Sequence, residues 1–184
     1  MSVVANKRRD YLYVSLLVII DQIIKLYIYN NSMDSKFGII EGYVEFYPMF
    51  NRDYSWINSL FQLGIGLLPH IIFSAIVSIG LILVYDFVKT NKQLSNPLNL
   101  TFIIIISASI CSLIDKIFWG GSLDYIYLVG FFIFDLKDVY VSVFEILLII
   151  YTIKNYKRIK SMDEKKLFKE YWSFVKKKYL RIGK

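Results

Sequence analysis

Cysteine and histidine occur once each in the 184 residues, and each scarcity closes off a class of chemistry. Cys111 alone supports neither a disulfide framework nor a cysteine-based metal site, and His70 alone gives no metal cluster. Both read as packed helix residues. No small-residue cleavage site follows the first apolar run, so that run is not expected to be a removable leader. Proline is confined to three positions. Pro69 opens an apolar run and Pro97 sits in the polar turn KTNKQLSNP, a breaker suited to a tight loop between helices. Polar surface is short as well. With 56% hydrophobic residues and a mean hydropathy of +0.48, the chain lacks what a soluble domain of this size needs outside its core.

What is there instead is a series of apolar runs near bilayer length. These predict an all-α membrane protein, with spans over about 11–29, 64–88, 98–119 and 138–153. The first span follows the basic cluster Lys7, Arg8 and Arg9. Residues 30–63, with alternating patches such as GYVEFYP, are expected to form a small β-rich cap outside the membrane. Residues 122–137 are aromatic and apolar but broken by Gly130, and predict an interfacial element or short helix.

Charge divides the chain into 1–153 and 154–184. The segment from Lys154 to Lys184 holds twelve of the 22 Lys/Arg against Asp163, Glu164 and Glu170, which leaves ten Lys/Arg and twelve acids in the remainder. Leu167, Phe168, Tyr171, Trp172, Val175 and Tyr179 recur there at helical spacing, so this C-terminal tail reads as an amphipathic basic helix on an anionic inner leaflet. An anionic lipid surface is a simpler partner for such a tail than nucleic acid. The N-terminal arm, the Lys89–Lys92 loop and the tail fall on one side of a four-span topology, which the positive-inside rule makes cytoplasmic. The opposite face then carries Asp124 and Asp138.

Those two acids flank apolar runs, and Asp115 lies within one. Ionisable groups at or inside membrane-length segments mark functional sites by default. Two close carboxyls can share a proton and so divide acid and base roles on water. Asp21 and Lys25 stand four apart, acid first, a spacing that suits an intrahelical pair.

Three motifs carry a family likeness: Asp21-Gln22-Ile23-Ile24-Lys25 as D-Q-x-x-K, residues 113–125 (LIDKIFWGGSLDY) as N-L-I-D-R-x-x-x-G-x-V-D-F, and Phe134-Asp135-Leu136-Lys137-Asp138 as F-N-x-A-D. In this order the chain resembles the lipoprotein signal peptidase family (signal peptidase II) over roughly residues 11–153. The resemblance implies a four-span aspartyl endopeptidase of the plasma membrane, with Asp124 and Asp138 as catalytic pair. It implies cleavage before a diacylglyceryl-modified cysteine of a prolipoprotein, with no metal or other cofactor. It also brings Asp115, Lys116, Ser112, Asp135, Asn51 and Asn58 into the site as supporting or substrate-binding residues, with Asp21, Gln22 and Lys25 as a structural polar group.

The chain departs from the family pattern at several of these positions. Ser112 replaces an asparagine and Lys116 an arginine, whose planar fork lysine does not reproduce. Asp135 replaces an asparagine and Lys137 an alanine, so a third acid and a new cation enter next to the catalytic position. Of N-x-G-A-A-F only the asparagine has candidates, Asn51 and Asn58, and Tyr54 and Trp56 stand where small residues are expected. The altered Ser112, Lys116 and Asp135 favour one other reading, a relative that binds lipopeptide or lipid without cleaving it, and the same acids would also serve a small proton- or ion-handling membrane protein.

Overall fold

The computed structural model describes residues 3–91 and 94–180 and the side chains from Lys7 onward, so Lys92 of the polar loop and Arg181 and Lys184 of the tail lie outside the described residues. Its first element, α1 (Val3–Asn31), is turned inside out relative to a helix of a water-soluble protein. Asp10, Val14, Asp21, Lys25 and Ile28 recur every three to seven residues and are buried, while Leu12, Leu16, Ile19, Ile23 and Leu26 are exposed. A charged stripe inside and an aliphatic surface outside suit a hydrocarbon solvent. Among the described residues, three stretches are long and apolar enough to cross a membrane: Lys7–Asn31, Leu67–Thr90 and Asn96–Trp119.

Helix α2 (Trp56–Leu60) is a single turn before α3 (Leu67–Thr90). Helix α4 (Asn96–Ile114) contacts α1, α3 and α5 (Leu136–Lys154), so it is the central one. Its small residues Ser107, Ala108 and Cys111 are buried, which lets the neighbouring backbones approach closely. Val14, Tyr85, Ile103 and Ile106 form the core shared by α1, α3 and α4. Helix α5 has 19 residues and carries Lys137, Asp138 and Glu145 among its apolar side chains. Tyr140 ties it to α1 through a 3.2 Å hydrogen bond to the Leu17 carbonyl.

At one end of the helices sits an antiparallel sheet in the order β1 (Phe37–Ile40), β2 (Val44–Asn51), β3 (Ser122–Leu128), β4 (Phe132–Phe134). Of the interfacial element or short helix expected within 122–137, the helix is not formed. SLDYIYL and FIF pair as strands because β-branched and aromatic side chains suit a half-buried pleat, and Gly130, at φ +81°, makes the turn between them. Ile28 at the end of α1 packs with Leu123 and Tyr125, fixing the sheet against the helices.

At the other end, Lys89 bonds Asp10 and Asn99, both at 2.6 Å, joining α3 to the starts of α1 and α4. The tail folds as α6 (Tyr156–Lys160), α7 (Glu164–Val175) and a π-helical turn, Lys176–Leu180. Tyr171 and Phe174 pack edge-on against Phe87 of α3, whereas Phe168 and Trp172 are exposed.

Candidate active site

Where the sheet meets α1, α4 and α5, five carboxyl groups converge around two lysines. Local structure brings each of them there. Asp21, Gln22 and Lys25 lie on one face of α1. Asp115 opens a π-helical turn, Asp115–Trp119, that ends at Gly120 in the left-handed region. Such turns widen a helix and are frequent at functional sites. The next residue, Gly121, lets the chain run against β2: a Cβ there would meet the Asn51 carbonyl oxygen at 2.5 Å. That close approach sets Asn51 opposite Ser122 at one end of the β2–β3 ladder, two residues from Asp124 and on the same face of the strand.

Asp135 is the N-cap of α5, and it forms a reciprocal capping box with Asp138. Each backbone N–H donates to the other residue's carboxylate at 3.2 Å. The box satisfies two otherwise free helix donors and at the same time fixes the Asp138 side chain. One carboxylate oxygen from each of Asp124, Asp135 and Asp138 lies within 4.8 Å of the others. The two acids expected to work as a pair therefore face a common space. Asp124 is buried, whereas the Asp138 side chain is 44% exposed, giving the site one sheltered and one water-facing carboxyl.

Hydrogen bonds hold Asp124 from both sides. Asn51 Nδ2 donates to it at 3.0 Å, and Asn51 Oδ1 accepts the Asp53 N–H at 3.0 Å, which orients the amide. Ser122 Oγ lies 2.7 Å from Asp124, 3.1 Å from Asp135 and 3.2 Å from Asp115, and accepts from Lys137 at 2.6 Å. A hydroxyl has one hydrogen, so only one of the three carboxylates receives it at a time. Burial pushes the Asp124 carboxyl above its ordinary range; Lys137 opposes the shift and the Asp135 charge adds to it. Asp135 goes the other way. Burial alone would raise it, but Lys137 and Lys25 together hold it below the usual carboxylate range.

Lys25 reaches well beyond Asp21. Its ammonium contacts Asp21 at 3.0 Å, Asp115 at 2.6 Å and Asp135 at 2.7 Å, tying α1 to α4 and to the cap of α5. Gln22 donates to Asp21 and Asp115 and accepts from the Trp119 indole at 3.1 Å. Asp21 Oδ1 is, among the described residues, a buried oxygen without a hydrogen-bond partner. Lys116 does not join the carboxyls; it turns back one helical turn to Ser112 Oγ at 2.6 Å. Asn58 is also elsewhere, stapling its loop through the Asp53 carbonyl and both backbone polar groups of Ile65. Of the two candidate asparagines, Asn51 is the one that reaches the acids.

Two features of this arrangement escape the sequence reading: the hub role of Ser122 and the spread of Lys25 over three acids. For Lys137 the departure from the family alanine was the available signal.

A family model described as "Signal peptidase (SPase) II" matches residues 13–154. A relative from Fusobacterium nucleatum subsp. nucleatum, named lipoprotein signal peptidase, is 30% identical over 138 residues, covering 73% of this chain and 80% of its own. The fold is similar to two solved chains, each described as a bacterial membrane enzyme. One has a TM-score of 0.66 and 18% identity, over 84% of this chain and 93% of that chain. The other has 0.64 and 22%, over 80% and 94%.

Proposed function

The chain belongs to the signal peptidase II family, and from that premise we propose that Asp124 and Asp138 are the catalytic pair of a lipoprotein signal peptidase, an aspartic endopeptidase. The observation that carries this reading is their convergence. Two carboxyls from different elements, one buried and one water-facing, stand with oxygens within 4.8 Å. A water held between them loses a proton to the ionised carboxylate while the protonated partner hydrogen-bonds the scissile carbonyl oxygen. The tetrahedral gem-diol collapses as the leaving amine takes up a proton. The shared proton belongs to the pair rather than to either residue. Asn51 and Ser122 hold Asp124 in place, and the capping box holds Asp138.

The substrate is a prolipoprotein cleaved before its diacylglyceryl-modified cysteine. Helix α5, with the three longer apolar stretches, completes a four-span bundle in the plasma membrane. Both termini are then cytoplasmic, the sheet forms an extracytoplasmic cap, and the acids sit near the outer surface, where the lipid lies between spans and the peptide crosses beneath the cap. Lysines of the tail, with the exposed Phe168 and Trp172, meet the anionic inner leaflet.

The test is cleavage of a defined diacylglyceryl-cysteine peptide by purified chain in lipid, beside Asp124→Asn and Asp138→Asn. Both variants are expected to fold and to lose at least a thousandfold in rate, as removal of an essential acid–base group does. Turnover retained by either variant rejects the assignment. Capture of the peptide by the unsubstituted chain without product would put it with the non-cleaving lipopeptide binders.

A further inference from the structure

Lys137 stands at the centre of the acid cluster, with no counterpart role in the chemistry above. Its ammonium donates to Asp135 and to Ser122, each at 2.6 Å, and lies 3.4 Å from Asp115, 3.7 Å from Asp124 and 3.8 Å from Asp138. The residue is 8% exposed. Behind it, Lys25 shares the same Asp135 and Asp115 oxygens and takes Asp21 besides, while Lys116 is turned away to Ser112. Five carboxyls against these two ammoniums leave a surplus of three negative charges if every acid is ionised.

We propose that Lys137 is a resident counter-cation of the catalytic pair, a positioning residue whose charge sets how readily Asp124 and Asp138 ionise and whose anchor is Asp135. The inference rests on the reading of those two acids as the working pair. Two of the lysine's three hydrogens are committed to Asp135 and Ser122, and the third is left to Asp115, Asp124 and Asp138, all within 3.8 Å of the ammonium. The distances to Asp124 and Asp138 differ by 0.1 Å, so the charge favours neither of them. Ser122 and Lys137 are not a serine–lysine nucleophile. An amine ringed by four carboxylates serves as their counter-charge and not as a base, and the serine accepts a hydrogen from it. The anchor works in the opposite sense. Asp135 lends its own negative charge to the site, and Lys137 offsets it.

The signs follow from charge alone. Removing a cation a few ångströms from a carboxylate makes ionisation harder, and removing an anion makes it easier, each by about 1–3 pH units at such separations. The experiment is the pH profile of kcat/KM for the full chain in lipid nanodiscs on a diacylglyceryl-cysteine peptide. Lys137→Met is expected to move the profile alkaline by about 1–3 units and Asp135→Asn to move it acid by a similar amount. The double variant should return close to the original profile, and Lys137→Arg should leave it there. Single variants that leave the profile in place, or move it in the same direction, overturn the proposal.

Should Lys137→Met not fold, the step from Asp135→Asn to the double variant isolates the lysine charge: an alkaline move sustains the proposal, and no move ends it. The γ-carboxyl titration of Asp124, followed by carbon-13 NMR in the same variants, reads the same shifts without turnover. Absence of cleavage by the unsubstituted chain therefore defeats the peptidase reading and still leaves the counter-cation tested.

Discussion

Lys25 illustrates what one ammonium holds together away from water. Its three hydrogens face three carboxylates, Asp21, Asp115 and Asp135, from three parts of the chain, and its side chain is fully buried. Removing one partner of a buried ionic group leaves the others uncompensated, at a cost of about 3–5 kcal/mol. Lys25→Met, which keeps the volume, is expected to destabilise the protein by that amount in denaturant unfolding in detergent. A loss below about 1 kcal/mol would mean that the three acids find other partners. Asp135 gives the same network a pH signature. Its carboxyl is held below the ordinary range in the fold, so its contribution is fully present above about pH 4 and fades as the pH drops through the folded value. Unfolding midpoints of the unsubstituted chain and Asp135→Asn should differ near neutrality and converge in acid. A constant gap across that range would assign the stabilisation to shape instead of charge.

Between elements, the decisive contact is the one that Gly121 permits. Any side chain there pushes on the Asn51 carbonyl, and backbone cannot give way as a flexible side chain can. Gly121→Ala is expected to cost about 1–3 kcal/mol as overpacking does. It should also slow cleavage at least tenfold, because the displaced strand takes Asn51 off Asp124. Unchanged rate and stability would show that the β2–β3 junction absorbs the methyl group. This junction was invisible in the sequence, since nothing in SLDYIYL names GYVEFYP as its partner. Interrupted by Gly130, the 122–137 stretch reads as a broken apolar run, although its aromatics and β-branched residues were the strand signal. The helical part was plainer. Asp21 and Lys25 at i,i+4 sit on one face by geometry, and their pairing follows from spacing. Asp115 and Lys116 are adjacent, and neighbours in sequence diverge around a helix, so Lys116 finds Ser112 four residues back. The spread of Lys25 and Lys137 over acids from other elements required the fold itself.

Across the whole molecule, two polar clusters terminate the bundle. Asp10 and Lys25 are fifteen residues apart on α1, about 22 Å at 1.5 Å per residue, and belong to opposite ends. The acid cluster lies at one end. At the other, buried Asp86 of α3 accepts from Lys7 of α1 and from Lys178 and Tyr179 of the tail. A single carboxylate thus pins the tail, which lies beyond the residues matched by the family model, to the body. A neutral amide in its place keeps the shape but gives up the charge that draws two ammoniums inward, and charge-assisted bonds are roughly twice as strong as neutral ones. Asp86→Asn should therefore release the π-helical turn Lys176–Leu180 and with it the packing of Tyr171 and Phe174 on Phe87. The expected outcome is trypsin cleavage at Lys176–Lys178 at least tenfold faster than in the unsubstituted chain, with the rate of peptide cleavage within twofold, because the site stands at the far end. If the tail stays protected, aromatic packing on Phe87 holds it without the carboxylate. If peptide cleavage falls along with protection, the two ends of the bundle are coupled, and α1, which carries Lys7 at one end and Lys25 at the other, is the element that joins them.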